Sequence, residues 1–340
     1  MQLKNNARSL KAGIIGCGQI GSSYDENSVH QASAKTHAKA YRQSSDFDLI
    51  GLCDSDPARL ATAAKLWNVE HTSTDVARFL DLDLAVISVC VPVAFQLQVL
   101  RQIAERPPRA LFLEKPVGRN SHEFDAIQKL VDQMDIPVLV NYSRRFSSEI
   151  QTLKKDIAAG RWGDPTNVVV NYEKGLLNNG SHALNLLCYF FGNPTMLQAA
   201  GVVSDGRENS DDPTAGFKVW FKANSDFESH FVAHNSSHFS VFEIDIFFAN
   251  GRVRLFDFGN SVQIFSVQAD PDYPTYRALF LEEAKSNLLT DVFGNAIQEL
   301  AELTNRSRKQ LTSSVGDSAI IHRVIGTLMK NSSPGTITKL

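Results

Sequence analysis

The run Gly16-Cys17-Gly18-Gln19-Ile20-Gly21 is the first group of residues whose types and spacing suit a chemical task. It directly follows a short apolar stretch. In such a turn the first glycine permits the tight bend, the second lets a pyrophosphate approach the backbone, and the third lets a helix pack on the preceding strand. Amides at the helix N-terminus then face the phosphates. A second apolar stretch ends at Asp54. A carboxylate there takes both hydroxyls of a ribose and repels a 2′-phosphate, so the two features together point to NAD over NADP. Glu114-Lys115-Pro116 immediately follows another apolar stretch. Ligands of open α/β sheets bind beyond the carboxyl ends of the strands, which directs Lys115 toward a nicotinamide. In isolation Lys115 reads as half of a surface ion pair.

These residues need elements to hold them. Short apolar runs over 11–15, 48–53, 85–89, 110–113 and 137–140 read as strands, and helical spacing fills 57–67, 95–105 and 121–134. Asn120 with Glu123 is an N-cap and its N3 partner. Continuous apolar strands alternating with helices indicate a parallel sheet covered on both faces. After residue 142 the strands lengthen and alternate, as in Phe242, Ile244, Ile246 and Phe248, with further runs at 166–173, 214–222 and 227–233. Asn250-Gly251 signals a hairpin. Two helices follow, near 287–304 and 317–329. The expected fold class is α/β: a Rossmann domain over 1–142, then an α+β domain over 143–340 with a large open, mostly antiparallel sheet.

The separation of Gly21 from Asp54 exceeds the usual ~20 residues. The surplus is the polar stretch 22–35, read as a loop inserted after the phosphate turn, with the helix resuming at Thr36 as N-cap. It reads equally as a solvated decoration or as a flap over the ligand.

Length and composition bound the rest. A chain of 340 residues suits two domains, and a net charge of −3 gives no sign of a nucleic-acid or anionic-membrane partner. The first residues are polar, with no apolar signal core, and the apolar run 183–191 is too short to span a bilayer. The four cysteines form no CxxC pair and read as buried thiols in a reducing compartment, so a cytoplasmic location is expected. His230, His234 and His238 invite a metal. Residues four apart on a strand lie about 13 Å from one another, too far to share one ion; His234 and His238 could meet across a turn at 235–237, but two histidines make no convincing site, so no metal is expected.

The combination of 16–21, Cys53-Asp54 with Asp56-Pro57-Ala58-Arg59, Glu114-Lys115-Pro116, Asn141-Tyr142-Ser143-Arg144-Arg145-Phe146 and Asn178-Asn179-Gly180-Ser181-His182 resembles the glucose-fructose oxidoreductase / inositol dehydrogenase / rhizopine-catabolism (Gfo/Idh/MocA) family. The resemblance implies a nicotinamide dinucleotide, here NAD, and an oxidoreductase acting on a hydroxyl or keto group of a sugar, cyclitol or nucleotide-sugar. It assigns cofactor contacts to Gly16, Gly18, Gln19, Ile20, Gly21, Asp54, Pro92, Glu114, Lys115 and Pro116. Lys115 would bind the reacting oxygen and His182 would serve as acid/base. Tyr142, Arg144, Arg145 and Asn185 would meet the substrate, and the large sheet would mediate homo-oligomerisation.

One departure stands out. The aspartate of the family's D-x-G-x-H segment is Asn178, and a second customary aspartate is Asn185. Asparagine cannot stabilise an imidazolium as a carboxylate does. An anionic substrate with Arg144 or Arg145 as partner fits this change. So does a non-catalytic NAD(H)-binding sensor on the same fold. An NAD-dependent glycosidase is a third reading of the same resemblance.

Overall fold

The computed structural model describes residues 9–203, 211–222, 226–330, 335 and 337–340. The chain folds into two compact units. One takes the residues up to Phe146 together with Thr290–Gly316, and the other takes Ser147–Leu289 with the residues from Asp317 onward. The boundary therefore differs from a single break at 142. The segment 290–316 returns to the first unit because its helix Val292–Thr304 carries an apolar stripe of Val292, Phe293, Ala296, Ile297 and Leu300, all buried. Polar ties hold the segment there: Val140 N donates to Ser313 O, Arg145 Nη1 to Thr312 O and Asn295 Nδ2 to Phe146 O.

In the first unit β1 (Leu10–Ile15), α1 (His37–Gln43), β2 (Phe47–Cys53), α2 (Pro57–Trp67), β3 (His71–Ser73), α3 (Val76–Phe79), β4 (Val86–Val89), α4 (Val93–Glu105), β5 (Ala110–Leu113), α5 (Ser121–Met134) and β6 (Val138–Val140) follow in turn. The strands form one parallel sheet in the order β3-β2-β1-β4-β5-β6, which is the doubly wound dinucleotide-binding topology. Every residue of β4 and β5 is buried, as continuous apolar strands covered on both faces must be. The helix starts are chemically marked. Asp56 caps α2 through the amides of Ala58 and Arg59, and Asn120 caps α5 through that of Glu123.

The second unit contains α6 (Ser148–Ala158), β7 (Pro165–Tyr172), α7 (Ser181–Phe191), β8 (Met196–Val203), β9 (Thr214–Lys222), β10 (Asp226–Ala233), β11 (Phe242–Phe248), β12 (Gly251–Phe256), β13 (Ser261–Ala269), β14 (Arg277–Ser286) and, late in the chain, β15 (Ile337–Lys339). Its sheet has the order β14-β13-β12-β11-β7-β10-β9-β8-β15. Among the described residues only β7 and β10 run parallel, and every other neighbouring pair is antiparallel. Alternate residues are buried, as in Phe242, Ile244, Ile246 and Phe248. Phe191 of α7 packs edge-on against Phe227 of β10 and near Phe221 of β9, which fixes that helix on the sheet. Among the described residues no helix is long and apolar enough to cross a membrane.

Candidate functional site

The carboxyl ends of β1, β2, β4 and β5 open into one cavity of about 830 Å³. Its walls include Gly16, Gly18, Gln19, Ile20, Asp54, Pro92, Glu114, Lys115 and Pro116. Residues from four separate stretches of sequence are thus brought to one cleft. Gly21 does not line it. A Cβ there would stand 2.1 Å from Gly16 O, so its bareness serves close packing. Gly16 has φ +101°, and a Cβ on it would meet Cys90 and Val91 backbone at 2.6–2.8 Å. A Cβ on Gly18 would meet nothing within 4 Å, leaving that backbone open to a close ligand. The three glycines thus fit the bend, approach and packing roles of a pyrophosphate turn. A cavity of about 870 Å³ near Pro108, Ile136 and Leu303 lies at the amino ends of β5 and β6, away from the edge where ligands of open α/β sheets bind.

Asp54 is buried beside the turn. Its Oδ2 accepts from Cys17 N at 2.7 Å, its Oδ1 from Asp56 N at 2.9 Å, and Arg59 Nη1 reaches both oxygens at 3.1 and 3.3 Å. The carboxylate is therefore already oriented by the second residue of the glycine turn. Burial first, and the neighbouring Asp54 charge second, push the Cys17 and Cys53 thiols up to about 12. Both stay protonated at neutral pH, which makes them packing groups and not nucleophiles.

The stretch 22–35 is spliced into the first helix. His37 N donates to Ile20 O and Ala38 N to Gly21 O, so the turn's carbonyls continue into α1 across the excursion. Thr36 caps α1 through Lys39 N, as the sequence indicates. The excursion is pinned at a buried Asp25, which accepts from Lys35 N, Thr36 Oγ1, Ser28 Oγ and Lys39 Nζ. Burial raises the Asp25 pKa, but these four donors outweigh it and hold the carboxyl below its ordinary value. Trp67 Nε1 also donates to Ser22 Oγ. The excursion thereby sets Tyr24, 53% exposed, on the cleft wall, where its hydroxyl donates to Gln19 Oε1. Phe95, 54% exposed, lines the same cleft. Sequence reading missed both aromatics, because neither belongs to a motif.

Glu114 sits within a buried polar cluster formed with His37, Asn141 and Gln96. Lys115, next in sequence, is half-buried on the cleft wall and is joined to Pro116 by a cis peptide bond. Tyr142 is buried just past β6, and Arg144 and Arg145 follow on a short helical turn. Arg145 is tied to Thr312 O. Desolvation pulls the Arg144 guanidinium down to about 10, still cationic at neutral pH.

Asn178, His182 and Asn185 belong to the second unit. A π-helical turn over Gly175–Gly180 runs into α7, with Gly180 and Ser181 at the junction both in right-handed helical backbone. Asn178 and His182 thus stand one turn apart on a continuous helical stretch, where residues four apart are neighbours. The intervening residues are not a turn, contrary to their composition. Asn178 is exposed, His182 half-buried and Asn185 buried. Asp212, which no motif marks, accepts from Leu177 N at 2.7 Å and Asn178 N at 2.9 Å. A carboxylate therefore already stands at the backbone of residue 178, where an aspartate side chain would add a second negative charge. His230 pairs with Glu228 and His234 with Asn171. Among the described residues no group of three His, Cys, Asp or Glu side chains is placed to hold a metal.

The family model described as "Oxidoreductase family, NAD-binding Rossmann fold" matches residues 10–142. Inositol 2-dehydrogenase of Rhizobium meliloti is 27% identical over 163 residues, 48% of this chain and 44% of that protein. The chain spans about half the length of the curated relatives it matches. An oxidoreductase from Agrobacterium radiobacter, solved with NAD+, L-tartaric acid and magnesium, shares the fold at TM-score 0.73 and 15% identity, covering 97% of this chain and 98% of that one. A super-repressor mutant of Gal80p from Saccharomyces cerevisiae shares it at TM-score 0.76 and 14% identity, covering 97% and 98%. Residues 10–142 thus match the NAD-binding Rossmann domain of the Gfo/Idh/MocA oxidoreductase family.

Proposed function

We propose that the protein is an NAD-dependent oxidoreductase acting on a hydroxyl or keto group of a sugar, cyclitol or nucleotide-sugar. The observation that carries this reading is the convergence of the glycine turn, Asp54 and Lys115 on one cleft beyond the strand ends. In it Asp54 takes the adenosine ribose, and the amides after Gly16 take the pyrophosphate. Bound NAD supplies the hydride acceptor or donor. Lys115 hydrogen-bonds the reacting oxygen, where negative charge develops. His182 takes the hydroxyl proton in oxidation and returns it in reduction. Tyr142, Arg144 and Asn185 are the proposed substrate contacts, while the Thr312 tie gives Arg145 a supporting role. Support for the substrate class comes from named relatives, inositol 2-dehydrogenase and D-apiose dehydrogenase among them.

The test is NAD+ reduction by the purified chain across polyols, cyclitols, sugars and nucleotide-sugars, with Lys115→Met alongside. The variant should keep its fold and lose about 100-fold or more in turnover, the scale of a lost oxyanion donor. Turnover within a few-fold of wild type removes Lys115 from the chemistry.

A second reading, a non-catalytic NAD(H)-responsive protein, is favoured by Asn178 in place of the family's aspartate. Tight NADH binding with no hydride transfer to any tested carbonyl would select it.

A further inference from the structure

Behind Lys115 lies a chain of buried polar groups that no motif announced. His37, the first residue of α1, is fully buried, with its ring against Phe112 and Phe293. Its Nε2 is 2.8 Å from Glu114 Oε1, and its Nδ1 is 3.0 Å from Ser88 Oγ. Ser88 Oγ is in turn 2.8 Å from the Tyr41 hydroxyl. Asn141 Nδ2 donates to the same Glu114 Oε1 at 2.6 Å. Ser88 and Tyr41 are completely buried, and Glu114 and Asn141 nearly so.

The donor directions follow from the chemistry. An ionised carboxylate only accepts, so the His37 Nε2–H donates to it. In the neutral ring Nδ1 then accepts from Ser88, and the Ser88 oxygen accepts from Tyr41. Burial holds the Tyr41 phenol above its ordinary range, which keeps that proton in place. The backbone is fixed as well: Glu114 N donates to Val89 O, and Glu114 O accepts from Gln96 Nε2. Both side-chain donors converge on Oε1. Oε2 has no protein donor among the described residues, and Glu114 lines the cleft. A carboxylate fastened by one oxygen at a cleft wall is an acceptor held ready for a ligand.

We infer that His37 is a positioning residue for the cofactor: with Asn141 it fastens Glu114 by Oε1 and so presents Oε2 to a hydroxyl or amide donor of the dinucleotide's nicotinamide-ribose end. This rests on the placement of NAD in the cleft described above. It predicts an effect on cofactor affinity that needs no substrate. Buried charge-assisted hydrogen bonds are the strong class, and their geometry decides their worth.

The test uses two substitutions of similar size. In His37→Gln the side-chain amide reaches the place of Nε2 and keeps the donor to Glu114, losing the Ser88 link. In His37→Asn the amide reaches the place of Nδ1 and keeps Ser88, losing Glu114. NADH affinity is read by fluorescence titration of the full chain, and folding by thermal melting. His37→Asn should bind NADH about 10-fold or more weakly, while His37→Gln stays within a few-fold of wild type. Equal weakening in both, in step with lost melting temperature, overturns the proposal, as does undiminished binding by His37→Asn. If His37→Asn does not fold, Glu114→Gln decides: it keeps the shape and removes the charge, and unchanged NADH affinity overturns the proposal. Failure of the wild-type chain to bind NADH contradicts the cofactor reading itself, which separates the two outcomes.

Discussion

At the scale of single residues, the contrast between Asn178 and Asp212 bears most on the chemistry. The family's aspartate is absent at 178, yet Asp212 brings a carboxylate to the Leu177 and Asn178 amides from the approach to β9. An aspartate at 178 would stand one helical turn before His182 and favour its protonated form, raising its pKa. In the proposed mechanism oxidation needs neutral His182, so the rising limb of the kcat/KM profile of Asn178→Asp should move to higher pH. A profile superimposed on that of wild type, together with near-normal turnover in His182→Ala, removes His182 as the base. Sequence supplied the glycine turn, Asp54 and Lys115, because each belongs to a local spacing with a mechanical reason. Asp212, Tyr24 and His37 were not legible. Each reaches its place through tertiary contacts spanning from a few to dozens of residues, with no periodicity to mark it.

At the scale of elements, the excursion over 22–35 shows how far composition reads. Its polarity indicated a loop and Thr36 a helix start, and both hold in the structure. Composition left decoration and flap equally open. The buried Asp25 decides for an anchored element, because four donors, the Lys39 ammonium among them, hold it in place. Asp25→Ala leaves Lys39 buried without its counter-charge and should cost on the order of 3 kcal/mol, as breaking buried pairs does. Denaturant unfolding measures it, and a change under about 0.5 kcal/mol contradicts the anchoring. The folded-state pKa of Asp25 lies below the unfolded value, so its stabilisation is present above about pH 4 and fades as pH falls through the folded value. The strands β1, β2, β4 to β7 and β9 to β11 and the helices α1, α2, α4 and α5 were readable from pattern alone, whereas α6, β8, β13 and β14 were not. The short β3, α3 and β15 were also not readable, since their few residues, unlike those of β4, β5 and β6, form no continuous apolar run. The helix Val292–Thr304 was visible, but an apolar stripe does not say which sheet it will cover.

At the scale of the molecule, the nine-stranded sheet presents a row that a lone chain has no evident reason to carry. Register aligns Phe247, Arg252, Phe265 and Leu281 across β11 to β14. Arg252 lies over the Phe247 and Phe265 rings, while Leu279 and Leu281 are 41% and 54% exposed. Apolar side chains grouped on one sheet face suit a contact between copies of the chain, and this row is the proposed homo-oligomer surface. Leu281→Lys should shift sedimentation velocity toward the monomer while leaving the melting transition cooperative. A wild-type chain that sediments as a monomer at micromolar concentration contradicts it.

The central claim is that the cleft binds NAD with Asp54 on the adenosine ribose, and calorimetric titration of the full chain with NADH and with NADPH tests it most directly. A carboxylate at the place of Asp54 would accept ribose hydroxyls and repel a 2′-phosphate, so NADH should bind at least about 10-fold more tightly, a difference of about 1.4 kcal/mol. Asp54→Ser should erase most of that difference. A clear preference of the wild-type chain for NADPH, or a preference for NADH untouched by Asp54→Ser, would contradict the account.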